Sequence, residues 1–191
     1  MADKLEGFAG HSYMMLGERM ALLEFIVPGD LVIEIGTADG ATIAWVAARK
    51  AQSEFLCIDS FPHGEHGVTG QIGNFENWHA NRQPNMALFE GTAAAYAATE
   101  GHRIAQVAII DGEHTIDAIA ADLRAVRALV QPGGLVLCHD YAHRDNGVKQ
   151  AVDACVAAGD YAHQETVGSI AVLRLVKDEL MIERLRAVGY V

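Results

Sequence analysis

The sequence predicts an α/β fold, a seven-stranded, mostly parallel sheet with helices on both faces, and three observations predict it. Strand-length apolar runs alternate with stretches of helical period, the pattern of repeated βαβ units. With 191 residues, 51% of them hydrophobic, the chain has the size of one domain with one sizeable core. Most strand-like runs close on a glycine or an acid, at the edge where open α/β sheets bind ligands.

The elements follow in order. Leu16, Met20, Leu23 and Val27 recur at spacings of three or four, so residues 13–26 are predicted as an amphipathic helix, ended by Pro28-Gly29-Asp30. LVIEIG (31–36) is a near-continuous apolar run suited to a strand buried on both faces, followed by a tight turn and the helix ATIAWVAARK. FLCID (55–59), MALFEG (86–91) and IAQVAIID (104–111) supply three more strands. Ile116, Ile119, Leu123, Val126 and Leu129 mark a helix over 116–130, which Pro132-Gly133-Gly134 breaks before the strand LVLCHD. Asp145 is placed to cap the helix GVKQAVDACVAA; YAHQETV and SIAVLRLV then form a hairpin around Gly168, and residues 178–188 close the chain as a helix.

One domain is expected over 1–191, with residues 1–28 as an N-terminal lid and opening helix. Residues 60–84 are long, glycine-rich and aromatic, which suits a substrate lid with a short helix at 74–81, or a surface excursion packed on itself. A net charge of −11 disfavours nucleic acid, whose binding needs clustered cations. Neither a membrane span nor a secretory signal is read in the sequence, and Cys57, Cys138 and Cys155 lack disulfide or zinc spacing, so a cytoplasmic protein is expected.

At the strand ends, Gly36 and Gly40 allow a sharp turn and a close backbone approach to a ligand. The segment 36–40 lacks GxGxxG spacing and carries Asp39, whose charge repels phosphate, which argues against a nicotinamide or flavin dinucleotide. Asp59 closes the second strand about twenty residues on, where a carboxylate can accept hydrogen bonds from both ribose hydroxyls of a nucleoside; capping the next turn is its alternative role.

EIGTADGATIAWVA resembles the first glycine-rich motif of class I methyltransferases, in the variant of the catechol O-methyltransferase-like branch. IIDGEHTIDAIAADLRAVRALVQPGGLVLCHDY is similar to small-molecule methyltransferases patterned as DGxHxY, an acidic helix, PGG and HD; the likeness covers about residues 30–155. It implies a Rossmann-like sheet ordered 3-2-1-4-5-7-6 with the last strand antiparallel. It also implies S-adenosylmethionine as cofactor, held by Glu34 near its methionine moiety, Gly36, Thr37, Gly40, Asp59, Ser60, Phe61, Gly91, Thr92 and Asp111. Gly91-Thr92 serve equally as an ordinary helix cap.

The branch further implies a divalent metal on an acid after the fourth strand and a pair after the fifth, here Asp111 and His139-Asp140. One imidazole moves the preference from Mg²⁺ toward Mn²⁺, Fe²⁺ or Zn²⁺. Without metal, His139 beside Asp111 is a candidate general base, worth about 10²–10⁴-fold; a structural role is the third option. His114, Tyr13, Trp78 and His63 are candidates to contact the substrate. The partner expected is a small-molecule acceptor, most readily methylated on oxygen, with a homodimer as one assembly option. The alternative function is a catalytically inactive nucleoside-binding regulatory module.

Overall fold

The computed structural model describes residues 5–9, 12, 14–61, 74–143 and 147–176 of the 191. Seven strands, β1 (Leu31–Ile35), β2 (Glu54–Asp59), β3 (Met86–Glu90), β4 (Ala105–Ile110), β5 (Val130–Cys138), β6 (Tyr161–Val167) and β7 (Ile170–Leu175), form one sheet ordered β3-β2-β1-β4-β5-β7-β6. Pairing is parallel from β3 through β5, and β7 runs antiparallel to both β5 and β6. The expected order, the class I methyltransferase one, is therefore present. The helices are α1 (Leu16–Phe25), α2 (Ala41–Arg49), α3 (Asn74–Asn81), α4 (Ala93–Ala97), α5 (Ile116–Leu129) and α6 (Gly147–Ala157).

The period-two alternation of the strands sorts the core into two layers. Ile33, Ile35, Leu56 and Ile58 pack with α4, α5 and α6, while Val32, Phe55, Cys57 and Ile109 pack with α1, α2 and Trp78 of α3. All five residues of β1 are buried, as a continuous apolar run between two helical layers requires. Glu34 is the polar intruder in that run.

Two elements depart from expectation. Of the expected stripe, Leu16 and Met20 on α1 and Val27 beyond its end are exposed (56%, 48% and 61%), Leu23 is partly buried against the core, and Ala21, Leu22 and Ile26 are buried. This segment carries apolar residues on two faces, so its pattern does not select one; buried Glu18 and Arg19 share the inward side. β5 begins at Val130 rather than after Pro132-Gly133-Gly134, because the register jumps from Ala105↔Val130 to Val107↔Leu135 and the tripeptide is absorbed as an irregularity. The helix α3 falls on the expected residues. Tyr13, His63, Asp145, residues 178–188 and most of the expected lid (62–73) lie outside the described residues. No helix among the described residues is long and apolar enough to cross a membrane.

Candidate active site

The carboxyl ends of β1, β2, β4 and β5 converge on one edge, and the backbone there is strained. Ala38, Phe61 and Asp140, the positive-φ residues other than glycine among those described, follow β1, β2 and β5 (φ 47°, 41° and 61°). Such conformations cost of order 1–3 kcal/mol each and concentrate where function over-determines the chain.

The first half of the site is the turn after β1. Gly36 has φ 85°, and a Cβ there would stand 2.4 Å from the Gly112 Cα, so this backbone crossing requires glycine. Asp59 faces the turn: one carboxylate oxygen accepts from the Ala38 N–H (2.9 Å) and the other from the Phe61 N–H (2.7 Å). Gly91 N–H donates to the Asp59 carbonyl at 2.9 Å, tying the end of β3 to that of β2. Ser60 is exposed. Phe61 packs edge-on against Phe75 of α3 at 5.4 Å, and Thr92 caps α4 by accepting from Ala95 N–H.

Beneath the turn, Glu34, Thr37, Cys57 and Trp78 form a buried polar cluster. Glu34 Oε2, Thr37 Oγ1 and the Trp78 indole nitrogen are closed off from solvent there. Burial pushes the Glu34 carboxyl up to about 8; the Thr37 hydroxyl opposes this, while the charges of Asp111, Asp59 and Asp39 add to it. Trp78, expected near the acceptor, is only 1% exposed and packs against Gly40 inside the apolar layer.

The second half lies at the ends of β4 and β5. His139 is buried, with Nδ1 donating to an Asp111 carboxylate oxygen at 2.9 Å and standing 3.5 Å from Asp140; its Nε2 stands 3.5 Å from Glu18 of α1. Burial alone would lower its pKa, but Asp111, Asp140 and Glu18 outweigh burial and raise it to about 9. Burial pushes the Asp111 carboxyl up, and His114 and His139 more than reverse this, holding it below the usual range. His114, 40% exposed, places Nδ1 3.3 Å from Asp140 and Nε2 3.9 Å from Asp111, and its pKa is raised mainly by Asp111.

This arrangement does not fit the metal centre that the branch implies. Both ring nitrogens of His139 face carboxylates, and no group of three His, Cys, Asp or Glu among the described residues could hold an ion. The S-adenosyl group fits better. A glycine turn and a strand-end carboxylate facing it, with buried polar atoms beneath, supply backbone approach, acceptors and negative charge. Glu18 was not foreseen in this site, because no local signal connects α1 to residues more than a hundred positions later.

Comparison with known proteins agrees with this geometry. A family model described as a methyltransferase domain matches residues 33–141, more than half of the chain, and the chain belongs to that family. It is an S-adenosylmethionine-dependent methyltransferase by family and fold. Among solved structures it is similar to a protein assigned as an O-methyltransferase from Klebsiella pneumoniae (18% identity, 90% of this chain and 84% of that one, TM-score 0.61). An O-methyltransferase from Bacillus cereus in complex with SAH is comparably similar (17% identity, 86% and 82%, TM-score 0.61). So is the N-methyltransferase NodS from Bradyrhizobium japonicum (12% identity, 84% and 95%, TM-score 0.57). At these identities the likeness is one of fold. No curated protein matches the sequence.

Proposed function

We propose that the chain transfers the methyl group of S-adenosylmethionine to an oxygen of a small polar acceptor, without a metal. The observation that carries this reading is Asp59, fixed by two backbone N–H groups and facing the Gly36 turn. When bound, S-adenosylmethionine supplies an electrophilic methyl on a sulfonium. Gly36 admits the ligand to the backbone, Asp59 accepts from the ribose hydroxyls, and Glu34, its carboxyl held protonated up to about 8 by burial, lies beneath the cationic end as a buried polar group. The protein's main contribution is to hold the acceptor in line and exclude water.

His139 is too enclosed to serve as the base foreseen for it, being buried between Asp111 and Glu18. It positions Asp111. His114 is the better proton acceptor, being half-exposed at the mouth with Nδ1 oriented by Asp140, as a base oriented by a third group should be. The O-methyltransferase neighbours support oxygen as the target, and the charge of −11 supports a small acceptor over nucleic acid. The three cysteines are free, which suits a reducing cytoplasmic setting.

The test is calorimetry with S-adenosylmethionine. Asp59→Ala is expected to weaken binding at least about a hundredfold, the loss of hydrogen bonds to a charged group. Unchanged affinity would place the nucleoside elsewhere and sink the reading.

A further inference from the structure

Glu18 is a buried carboxylate whose full set of contacts exceeds what its helix needs. As the third residue of α1 it accepts the Met15 N–H through Oε2 at 2.8 Å, the usual reach-back of an N-terminal cap. That accounts for one oxygen of a side chain that elsewhere on a surface helix would point to water. Instead Oε1 accepts from both the N–H and the hydroxyl of Ser169, each at 2.7 Å, across 151 residues of sequence. The β6–β7 turn is shaped for this contact. Gly168 sits at φ 61°, and a Cβ there would come within 2.7 Å of both Glu18 Cγ and Oε1, so glycine makes the room the carboxylate occupies. Held this way, Oε2 also stands 3.5 Å from Nε2 of His139.

We propose that Glu18 is a positioning residue of the methyl-transfer site, closing a carboxylate–imidazole–carboxylate clamp on His139 with Asp111 on the other side. The inference rests on the methyltransferase reading for its purpose, though not for its geometry. A buried carboxylate is costly unless paired and hydrogen-bonded, and the pairing here lies on the buried imidazole that hydrogen-bonds Asp111. Burial pushes the Glu18 carboxyl up, and the Ser169 and Met15 bonds with the nearby His139 charge bring it below its ordinary value, so it is ionised at neutral pH. The groups facing His139 are then Glu18 from α1, Asp111 after β4 and Asp140 after β5, with His114 and His143 on the far side of the carboxylates. The clamp fixes the ring in its plane, keeps Nδ1 on Asp111 and thereby sets where the Asp111 carboxylate points. Through it, α1 and the β6–β7 turn become part of the site.

The experiment uses the full chain and two variants, Glu18→Gln and Ser169→Ala, the second leaving helix and carboxylate in place. Nitrogen-15 spectra of the His139 ring at pH 7 are expected to show both nitrogens protonated in the parent. In Glu18→Gln the Nε2 signal moves and its proton exchanges faster with water, and Ser169→Ala shows a smaller change of the same kind. Affinity for S-adenosylmethionine stays within about threefold, while kcat with any acceptor turned over falls about tenfold or more, the scale of a lost hydrogen bond to a charged group. His139 ring signals identical in all three proteins overturn the clamp. Because that readout needs no acceptor, it stands even if a metabolite panel gives no turnover, which would count against the methyltransferase reading alone.

Discussion

At the ends of β1 and β2 the site is made by near neighbours in sequence and by backbone amides, whereas at the ends of β4 and β5 it is made by side chains that meet only in the folded chain. Asp59 is held by Ala38 and Phe61 N–H groups, and the turn it faces is set by Gly36. His139 is held by Glu18, Asp111 and Asp140, contributed by α1 and the two strand ends, and Glu18 depends in turn on Ser169. The cofactor half is thus a backbone device laid over one buried carboxyl, Glu34. The reaction half is a network of ionisable groups, whose behaviour follows pH.

That difference can be broken or sharpened by substitution. His114→Ala should lower kcat about 10²–10⁴-fold and leave S-adenosylmethionine affinity intact, the signature of a base acting only on the acceptor. In the parent the rate should rise with pH through a limb above the ordinary imidazole value, since His114 is raised, and the limb should vanish in the variant. A pH profile unchanged by the substitution would remove His114 from the chemistry. Gly36→Ala should act on the other half: its Cβ has no room beside Gly112, so affinity for S-adenosylmethionine should fall by about tenfold or more and the melting temperature should drop.

A smaller effect separates the buried carboxyl from the clamp by stability. Glu34 is raised in the folded state from 4.5 to about 8, so its contribution is present below about 4.5 and is lost as pH rises through about 8. His139, raised from 6.5 to about 9, contributes below about 6.5 and loses that contribution as pH rises through about 9. The parent should therefore melt earlier as pH rises from 6 to 9. Glu34→Gln should flatten the lower part of that slope and leave the part belonging to His139, and thermal melts at stepped pH would show an unaltered slope if Glu34 were solvated. The smallest change is Thr92→Ala, which removes the α4 cap and should cost about 1 kcal/mol of stability in chemical denaturation.

Much of the cofactor half was legible beforehand, because strand, turn and helix follow one another within thirty residues and each is written in period, glycine and acid. The sheet order came with the resemblance of the two motifs rather than from periodicity. The reaction half was legible only as a list of strand-end residues. Asp111, His114, His139 and Asp140 were named, and Asp111 was set beside His139 as the structure has it, but Glu18 was not: His139 read as a metal ligand or base while its Nε2 side, closed by Glu18, was out of view. The α1 face was misread for a related reason, since apolar residues lie on both sides of a ten-residue helix and packing against β-strand neighbours chose Leu22 and Ile26.

By itself, then, the sequence determined the alternation of elements, the buried central strands and the glycine turn with its acid, because these depend on local period, backbone freedom and residues close along the chain. The tertiary structure alone decided which face of α1 turns inward, that Trp78 fills the core beside Gly40, and that His139 lies between two carboxylates. Those outcomes depend on contacts between segments far apart in sequence, such as the 151-residue separation of Glu18 and Ser169, and the charge state of a buried group is set by whichever neighbours such contacts bring to it.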